Sequence, residues 1–440
     1  MVLERILSEQ RVDIEQLDVG VLCPRKEELE VNLNSNLAQI VIGVRRSGKS
    51  TLCQKVLLQS GVNFAYINFD DERLSDFSAK NFDEMLEMQY RLFGKFTHIF
   101  MDEVQNVDKW HLFVNRLLRQ GLKVILTGSN ANLLSNELST HLTGRYHQIE
   151  LFPFSFKEYC LANNVDIKHK TTKAIGLRKN ALDKYLYSGG FPELLNLDTP
   201  KDYVKSLLSA IVFKDVSQRY GIRYKQTLYD LANNLLDNFC QEQSVANMAK
   251  TLGIKSDHTM KNYVSYMENA YLVRSVPKYS FKSQTKILTR KYYAIDMAFV
   301  SKRDTLQTEN FGWRLENVVA IELMRRINSE YEQVFYLKKN KDFEVDFVVV
   351  SNSKIIELVQ VTYNFREPSV KLRNRELFGL VKAAKQTKCK KLTLVMMEGE
   401  AGTELVEGFE VNKVLAVDWL LNENFPKSAK KSQNFFPNLQ

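Results

Sequence analysis

The chain contains the stretch Gly43-Val44-Arg45-Arg46-Ser47-Gly48-Lys49-Ser50, which fits the phosphate-loop pattern Gly-x-x-x-x-Gly-Lys-Ser/Thr. In this pattern backbone N–H groups surround phosphates, Lys49 reaches the β- and γ-phosphates, and the Ser50 hydroxyl ligates Mg²⁺. The apolar segment Ala38–Val44 enters the loop and a helical pattern leaves it, as this mechanism requires. We therefore predict ATP and Mg²⁺ as ligands, with these nucleotide-binding residues: Gly43, Val44, Arg45, Arg46, Ser47, Gly48, Lys49, Ser50 and Thr51.

Short apolar runs alternate with helical patterns on both sides of this loop. Continuously apolar runs are typical of parallel strands covered on both faces, and strand–helix alternation implies right-handed crossovers. We predict a doubly wound α/β domain, a P-loop parallel-sheet fold, with helices at Ser50–Ser60 and Asp108–Gln120. Its predicted strands are Leu37–Val44, Phe64–Phe69, Thr97–Met101, Lys123–Thr127 and Tyr146–Leu151.

Composition narrows the class of protein. The chain has 440 residues, of which 44% are hydrophobic and 26% charged, as in soluble globular proteins. We find no apolar run that approaches the roughly 20 residues of a membrane span, and the first residues are too charged for a signal peptide. We therefore do not expect a zinc site, a disulfide scaffold or membrane partners. We expect the protein to reside in a reducing cytoplasm. The cysteines are scattered: Cys23, Cys53, Cys160, Cys240 and Cys389.

Two consecutive acids end the apolar strand that begins at His98. A strand adjacent to the phosphate-loop strand would place Asp102 at its carboxyl end, beside Mg²⁺. Glu103 would then be placed to polarise the attacking water. The alternative for such a pair of acids is an ordinary strand terminus.

The strand Val124–Thr127 ends in small polar residues. Either Ser129 or Asn130 is predicted to hydrogen-bond the γ-phosphate or the attacking water, and the same residues are good N-caps for a following helix. Arg145 stands before the next strand, where an arginine can reach the nucleotide of a neighbouring subunit. This role would require a homo-oligomer; the alternative is a surface ion pair.

Together these residues resemble a prokaryotic family of AAA+-type P-loop ATPases with a C-terminal restriction-endonuclease-like domain of unknown function. The resemblance implies a helical lid over the nucleotide, in which Pro192 touches the base or positions the lid; a simple tight turn is the alternative. The stretches that carry the resemblance are Gly43–Ser50, Met101–Gln105, Thr127–Asn130, Leu151–Glu158, Tyr187–Glu193 and Asp215–Tyr220.

A winged-helix pattern follows the predicted lid. Ser244 and Ser256 are predicted to cap two helices separated by a glycine turn, and the strand Tyr271–Val276 comes next. Residues 221–290 carry ten Lys or Arg and five Asp or Glu, a net charge of 10 − 5 = +5, and the whole chain carries +9. Such a surplus suits contacts to double-stranded DNA. The alternative is a winged helix that packs the lid or a protein partner.

A second α/β region resembles the restriction-endonuclease fold but lacks parts of its site. Glu316, Glu344 and Asp346 are candidates for a second metal site. Restriction endonucleases have a second acidic metal ligand and a lysine on the next strand. In this chain Leu358 and Gln360 occupy those two positions. We therefore expect weak or no DNA cleavage.

These observations leave three hypotheses open. The first is an ATP-hydrolysing switch or motor acting on DNA or a DNA-associated partner. The second is a nucleotide-gated nuclease, and the third is an ATP-binding scaffold without significant turnover. The predicted domains are the ATPase core at 1–155, the lid at 156–220, the winged helix at 221–285, the endonuclease-like domain at 286–425 and a basic tail at 426–440.

Overall fold

The computed structural model describes residues 2–130, 142, 144–197, 200–281, 289–301, 310–327, 331–339 and 342–422. The chain forms two compact units, unit 1 up to Ile321 and unit 2 from Glu322. The predicted tail at 426–440 lies outside the described residues. No helix in the described part of the chain is long and apolar enough to cross a membrane. All five cysteines are free thiols.

Unit 1 begins with a parallel sheet whose strands are β1 Ala38–Ile42, β2 Phe64–Asn68, β3 His98–Asp102, β4 Lys123–Gly128 and β5 Tyr146–Glu150. The strand order is β2-β3-β4-β1-β5, and every pair is parallel. The first four strands are almost wholly buried. The apolar runs therefore predicted all five strands to within two residues at each end.

The strand order differs from the predicted one in one respect. Asp102 ends β3, which was expected to adjoin the phosphate-loop strand β1, but β4 lies between them. The register places Ile42 of β1 beside Gly128 of β4, and Met101 of β3 beside Leu126. The carboxyl ends of the three strands thus meet at one edge of the sheet, where the loop after β1 begins.

Four helices accompany this sheet: α1 Val2–Glu15, α2 Lys49–Ser60, α3 Phe82–Phe93 and α4 Trp110–Arg119. Helix α2 follows the phosphate loop directly and buries Leu52, Cys53 and Leu57 in a cluster with Val41 and Phe100. This packing fixes the N-terminus of α2 at the edge where the strands end. Helix α1 was not predicted from the sequence.

The chain then becomes helical. The elements are α5 Phe156–Ala162, α6 Thr172–Ser188, a 3₁₀ helix Pro192–Asn196, α7 Pro200–Ala210 and a π-helix Ile211–Gln218. Ser155 begins α5 with a capping box, in which its hydroxyl accepts the Glu158 N–H and the Glu158 carboxylate accepts the Ser155 N–H.

A small antiparallel sheet and three helices complete this region: α8 Lys225–Asp237, β6 Glu242–Ser244, α9 Val245–Thr251, α10 Asp257–Asn269, β7 Val273–Pro277 and β8 Thr289–Ala294. The strand order is β6-β8-β7. Ser244 and Ser256 cap α9 and α10 as predicted, since their hydroxyls accept the N–H groups of Asn247 and Thr259.

Two further helices, α11 Ala298–Ser301 and α12 Phe311–Arg326, follow in the chain, and the division between the units falls inside α12. The predicted boundary after residue 285 does not coincide with this division. It would separate β8 from β6 and β7, to both of which β8 is hydrogen-bonded.

Unit 2 contains a mixed sheet of six strands in its described residues, in the predicted second α/β region. Its strands are β9 Glu332–Lys339, β10 Phe343–Ser351, β11 Lys354–Phe365, β12 Leu392–Gly399, β13 Gly402–Val406 and β14 Phe409–Leu415, in the order β13-β14-β12-β11-β10-β9. Its helices are α13 Val370–Arg373, a π-helix Asn374–Phe378, α14 Gly379–Thr387 and α15 Ala416–Leu421. The restriction-endonuclease-like fold stays a prediction.

Candidate nucleotide site

The phosphate loop requires glycine at two positions. Gly43 has φ +154°, and a Cβ added there would lie 2.1 Å from the carbonyl oxygen of Leu151. Gly48 has φ +94° and precedes α2, whose first residue is Lys49. The chain therefore turns sharply between β1 and α2. The N–H groups in the first turn of α2 have no acceptor within the helix and can therefore bind an anion.

Lys49 is 4% exposed, and its ammonium lies inside the loop. The Nζ atom donates to the Val44 carbonyl oxygen at 3.1 Å and lies 3.6 Å from Glu103 Oε1. A buried lysine held this way presents a compact positive charge, which is the group that β- and γ-phosphates attract. The predicted contact of Lys49 with the β- and γ-phosphates stays a prediction.

Ser50 and Asp102 are brought together as predicted for a magnesium site. The Ser50 hydroxyl donates to Asp102 Oδ1 at 2.9 Å, and the Thr127 hydroxyl donates to the same oxygen. The Tyr66 hydroxyl lies 3.3 Å from Asp102 Oδ2. A hydroxyl and a carboxylate are hard oxygen ligands, which Mg²⁺ prefers, so this pair fits the ion.

Without a cation beside it, burial makes the ionised form of the Asp102 carboxylate energetically unfavourable. Burial and the negative charge of Glu103 raise the pKa of Asp102 to about 6, although Thr127 and Ser50 hydrogen bonds oppose the rise. Asp102 is 2% exposed. A divalent cation beside this group would return it to the ionised form.

The pKa of Glu103 is shifted in the opposite direction to that of Asp102. Burial would raise its pKa, but the charges of Lys49 and Arg45 outweigh burial and lower it. Its backbone is left-handed at φ 51°, and its N–H donates to Thr127 Oγ1 at 2.9 Å. Glu103 is thus an ionised carboxylate on a fixed backbone, as a general base must be.

Thr127 and Gln105 support both acids and were not assigned from the sequence. The Thr127 hydroxyl joins Asp102 to the backbone of Glu103, and the Gln105 amide donates to the Glu103 carboxylate. Thr127 falls within the strand-end segment that was predicted to be polar. Gln105 directly follows the acidic pair, yet no residue pattern marks it as a ligand of Glu103.

Ser129 and Asn130 are both buried at the end of β4. Ser129 Oγ lies 3.4 Å from Gln105 Nε2, and the Asn130 amide donates to the Tyr220 hydroxyl at 3.4 Å. Ser129 is therefore linked to Glu103 through Gln105, whereas Asn130 is linked to Tyr220. Residues 131–141 lie outside the described part of the chain, so the N-cap alternative stays a prediction.

The π-helix Ile211–Gln218 contributes charged residues to the same site. Asp215 accepts two hydrogen bonds at 3.0 Å from the Arg45 guanidinium, which also bonds Asp70 at 3.1 Å. The π-helix is therefore bonded directly to the phosphate loop. π-Helical turns are frequent at functional sites because they redirect side chains.

Arg219 follows this π-helix and was missed as a site residue. Its Nη1 atom is buried without a hydrogen-bond partner. Burial lowers its pKa, while the charges of Asp215 and Glu103 act to raise it. The stretch Asp215–Tyr220, which carries part of the family resemblance, contains Arg219.

Arg25 lies in the segment before β1 and contacts a carbonyl oxygen of the phosphate loop. Its Nε donates to Glu158 Oε1 at 2.8 Å, Nη2 donates to the Phe152 carbonyl at 2.7 Å, and Nη1 lies 3.3 Å from the Ser47 carbonyl. The Pro192 ring lies on the same side, since a Cβ on Gly48 would be 3.9 Å from Pro192 Cγ and from Arg25 Nη1. Sequence patterns gave no signal for Arg25.

Comparison with sequence families identifies two parts of the chain. The model of an AAA domain matches residues 35–160, and the model of a domain of unknown function matches residues 179–309. The first range contains β1–β5, the phosphate loop and the acids of β3. Residues 35–160 are an AAA domain of the P-loop ATPase type.

Two full-length relatives extend the match beyond this domain. An uncharacterized protein of Methanocaldococcus jannaschii is 34% identical over 393 residues, covering 87% of this chain and 86% of that protein. An uncharacterized protein of Haemophilus influenzae is 30% identical over 405 residues, covering 88% and 95%. The chain belongs to their family. The family thus spans both compact units.

Solved structures are more distant. The Walker-type ATPase of Pyrococcus abyssi is 16% identical and has a TM-score of 0.38, covering 64% of this chain and 95% of that chain. AMPPCP-bound DnaA from Aquifex aeolicus is 14% identical with a TM-score of 0.26, covering 55% and 85%. The RuvB Holliday junction branch migration motor of Thermotoga maritima is 13% identical with a TM-score of 0.26, covering 63% and 94%.

Arg145 lies at the far end of β1 from the phosphate loop of its own chain. Its carbonyl oxygen accepts the N–H of Ala38, the first residue of β1, at 2.9 Å. The side chain is exposed and lies 3.4 Å from Asn115 Oδ1. Arg145 therefore does not reach the nucleotide site from within the chain, and a role between subunits stays a prediction.

The three acids predicted as a second metal site have separate partners. Glu316, in unit 1, accepts from the Tyr293 hydroxyl at 2.9 Å and lies 3.2 Å from Lys291 Nζ. Glu344 pairs with Lys338 at 3.2 Å, whereas Asp346 accepts the Val361 N–H at 3.0 Å. Across the described residues, no three acidic, histidine or cysteine side chains are grouped to hold a metal. Within unit 2, Glu344 and Asp346 therefore contact different partners.

Proposed function

We propose that the protein is an AAA-type ATPase that hydrolyses ATP with Mg²⁺ and passes its nucleotide state through the helical region to a winged helix. Gly43–Thr51 bind the phosphates, and Lys49 neutralises negative charge on them. Ser50 and Asp102 would hold Mg²⁺, which supplies charge neutralisation at the phosphates when bound. Glu103 accepts the proton of the attacking water.

One observation carries this proposal: two adjacent acids at the same strand end contact different groups. Asp102 is bonded to Ser50 and suited to a cation, and Glu103 is ionised beside Lys49. Metal binding and proton abstraction need these two different environments. A scaffold that only binds ATP would need the loop and Asp102, but not an ionised, positioned Glu103.

Arg219 and Asn130 are proposed to sense the γ-phosphate. The buried Nη1 atom of Arg219 has no partner, and Glu103 is among the groups whose charge acts on this guanidinium. An anion arriving beside Glu103 would satisfy that donor. Arg145 is proposed to act on the nucleotide of a neighbouring copy, and Pro192 to contact the nucleotide from the lid.

A continuous path leads from this site to the winged helix. The Tyr220 hydroxyl accepts from the Asn130 amide, and the Tyr220 ring stacks on Tyr266 of α10 with centroids 3.7 Å apart. Lys255, His258 and Lys261, in and just before α10, are exposed. We propose that DNA phosphates or a DNA-associated partner meet this surface, so that ATP turnover alters the contact.

The experiment that tests the proposal is ATP hydrolysis by the full-length protein, measured alone, with double-stranded DNA and with RNA. Phosphate release that needs Mg²⁺ and increases with double-stranded DNA supports the proposal. ATP binding without release under all three conditions would favour the scaffold.

A further inference from the structure

Unit 2 contains a buried acid that no sequence pattern marks as a site residue. Glu376 lies on the π-helix Asn374–Phe378, which packs on β10 and β11, and it is 0% exposed. Asp346 on β10 and Gln360 on β11 are also buried. Three polar side chains from three elements are therefore enclosed within one unit.

The strand pairing fixes two members of this group. The β10–β11 ladder is regular at Phe347, opposite Val359. One residue earlier, the Asp346 N–H donates to Gln360 Oε1 at 3.2 Å, and Asp346 Oδ2 accepts the Val361 N–H at 3.0 Å. Side chains thus replace ladder bonds here, and the Asp346 carboxylate is held against β11.

Glu376 lies on the π-helix that packs on the strands of Asp346 and Gln360, and one of its oxygens has no hydrogen-bond partner. Its Oε1 accepts from the Arg375 guanidinium at 2.8 Å, but its Oε2 is buried and makes no hydrogen bond. Burial and the charge of Asp346 raise the pKa of Glu376 to about 7, while Arg375 and Gln360 lower it. A buried carboxylate oxygen without a partner is costly, and a second carboxylate nearby increases that cost.

We propose that Asp346 and Glu376 bind one divalent cation of the Mg²⁺ and Mn²⁺ class, with Gln360 as a positioning residue. Two carboxylates balance a charge of +2, and such ions are commonly held by one or two carboxylates with water completing the shell. The π-helical turn supplies the acid that Leu358 does not. Glu376 therefore replaces Glu316 and Glu344 in the predicted set.

This site is independent of ATP hydrolysis and is tested without nucleotide. Full-length protein is titrated with Mn²⁺ at pH 8, and the free ion is followed by its electron paramagnetic resonance signal. We expect one Mn²⁺ per chain at this site, and this ion should still bind when Asp102 is replaced by asparagine. Asp346→Asn and Glu376→Gln should each weaken binding at least about tenfold, which is about 1.4 kcal/mol.

Two controls separate this site from other acids. Glu344→Gln removes a partly exposed acid two residues before Asp346 and should keep the Mn²⁺ of this site. Asp102→Asn removes the cation ligand of the phosphate loop, so the Mn²⁺ that this variant still binds belongs to the Asp346–Glu376 site. A wild type that binds no Mn²⁺ overturns the proposal, as does a loss of all binding in Asp102→Asn. Unchanged affinity in folded Glu376→Gln also overturns it. If Glu376→Gln does not fold, the Asp346→Asn and Asp102→Asn results decide.

Discussion

Asp102 and Glu103 differ by one position in the chain, yet their surroundings give them different chemistry. Asp102 ends a buried strand, and burial together with the charge of Glu103 raises its pKa despite the hydroxyl donors and the charge of Lys49. Glu103 turns left-handed toward Lys49 and Arg45, whose charges dominate. A strand followed by a left-handed residue thus separates a metal ligand from a general base.

The raised pKa of Asp102 predicts a pH-dependent stability. Because the folded pKa lies above the unfolded one, this group stabilises the fold at low pH, and that contribution is lost as pH rises through about 6. Asparagine does not titrate. Without Mg²⁺ or nucleotide, Asp102→Asn should therefore gain up to about 3 kcal/mol relative to the wild type between pH 4 and pH 8. Melting temperatures across this range test it; a difference that does not change with pH would contradict it.

A second residue-scale prediction concerns Arg219. Arg219→Ala should lower the rate of ATP hydrolysis by about 100-fold, because a positioned donor to developing phosphate charge is lost. Fluorescent-nucleotide binding should change far less than the rate. Arg223→Ala, an exposed arginine four residues later, is the matched control and should hydrolyse ATP normally. Equal rates for the two variants would remove Arg219 from the site.

Elements differ in how well the sequence predicts them. The buried strands β1–β4 were predicted because continuous apolar runs have few alternatives. Their order was not, because a parallel strand carries no signal for its neighbour, and β4 was therefore not expected between β1 and β3. Both π-helices were missed, since a π-turn has the composition of an α-helix. Arg219 and Glu376 depend on those turns, so they were missed as well.

The α9–α10 region gives an element-scale prediction. If α10 contacts DNA phosphates, affinity should fall steeply with salt, and Lys261→Glu should weaken binding to all sequences alike. The slope of log affinity against log salt should decrease by about 1. Fluorescence anisotropy measures both quantities. Lys354→Glu, an exposed lysine of unit 2, is the control. No binding at low salt, with and without ATP, would leave the winged helix as a protein-docking element.

At the scale of the whole molecule, one unit carries the AAA domain and the other has its own sheet. The resemblance to endonucleases predicts cleavage by unit 2, but the residues do not. Leu358 cannot ligate a metal, and Gln360 cannot supply the positive charge of a lysine beside a phosphate. The proposed Asp346–Glu376 cation site supplies a metal without that lysine.

We therefore expect the protein with Mg²⁺ or Mn²⁺ and ATP to leave plasmid DNA intact, as judged by agarose gel. Asp346→Ala should change stability or partner binding instead. Nicking by the wild type that disappears in Asp346→Ala, with ATP hydrolysis unchanged, would make the nuclease hypothesis the leading one.

The central claim is that this site hydrolyses ATP with Glu103 as the base. The most direct measurement compares ATP binding and phosphate release for the wild type, Glu103→Gln and Lys49→Ala. Lys49→Ala should lose nearly all nucleotide binding. Glu103→Gln should bind ATP as the wild type does but release phosphate at least about 100-fold more slowly, because an amide cannot accept the proton. Wild-type hydrolysis by Glu103→Gln would contradict the account.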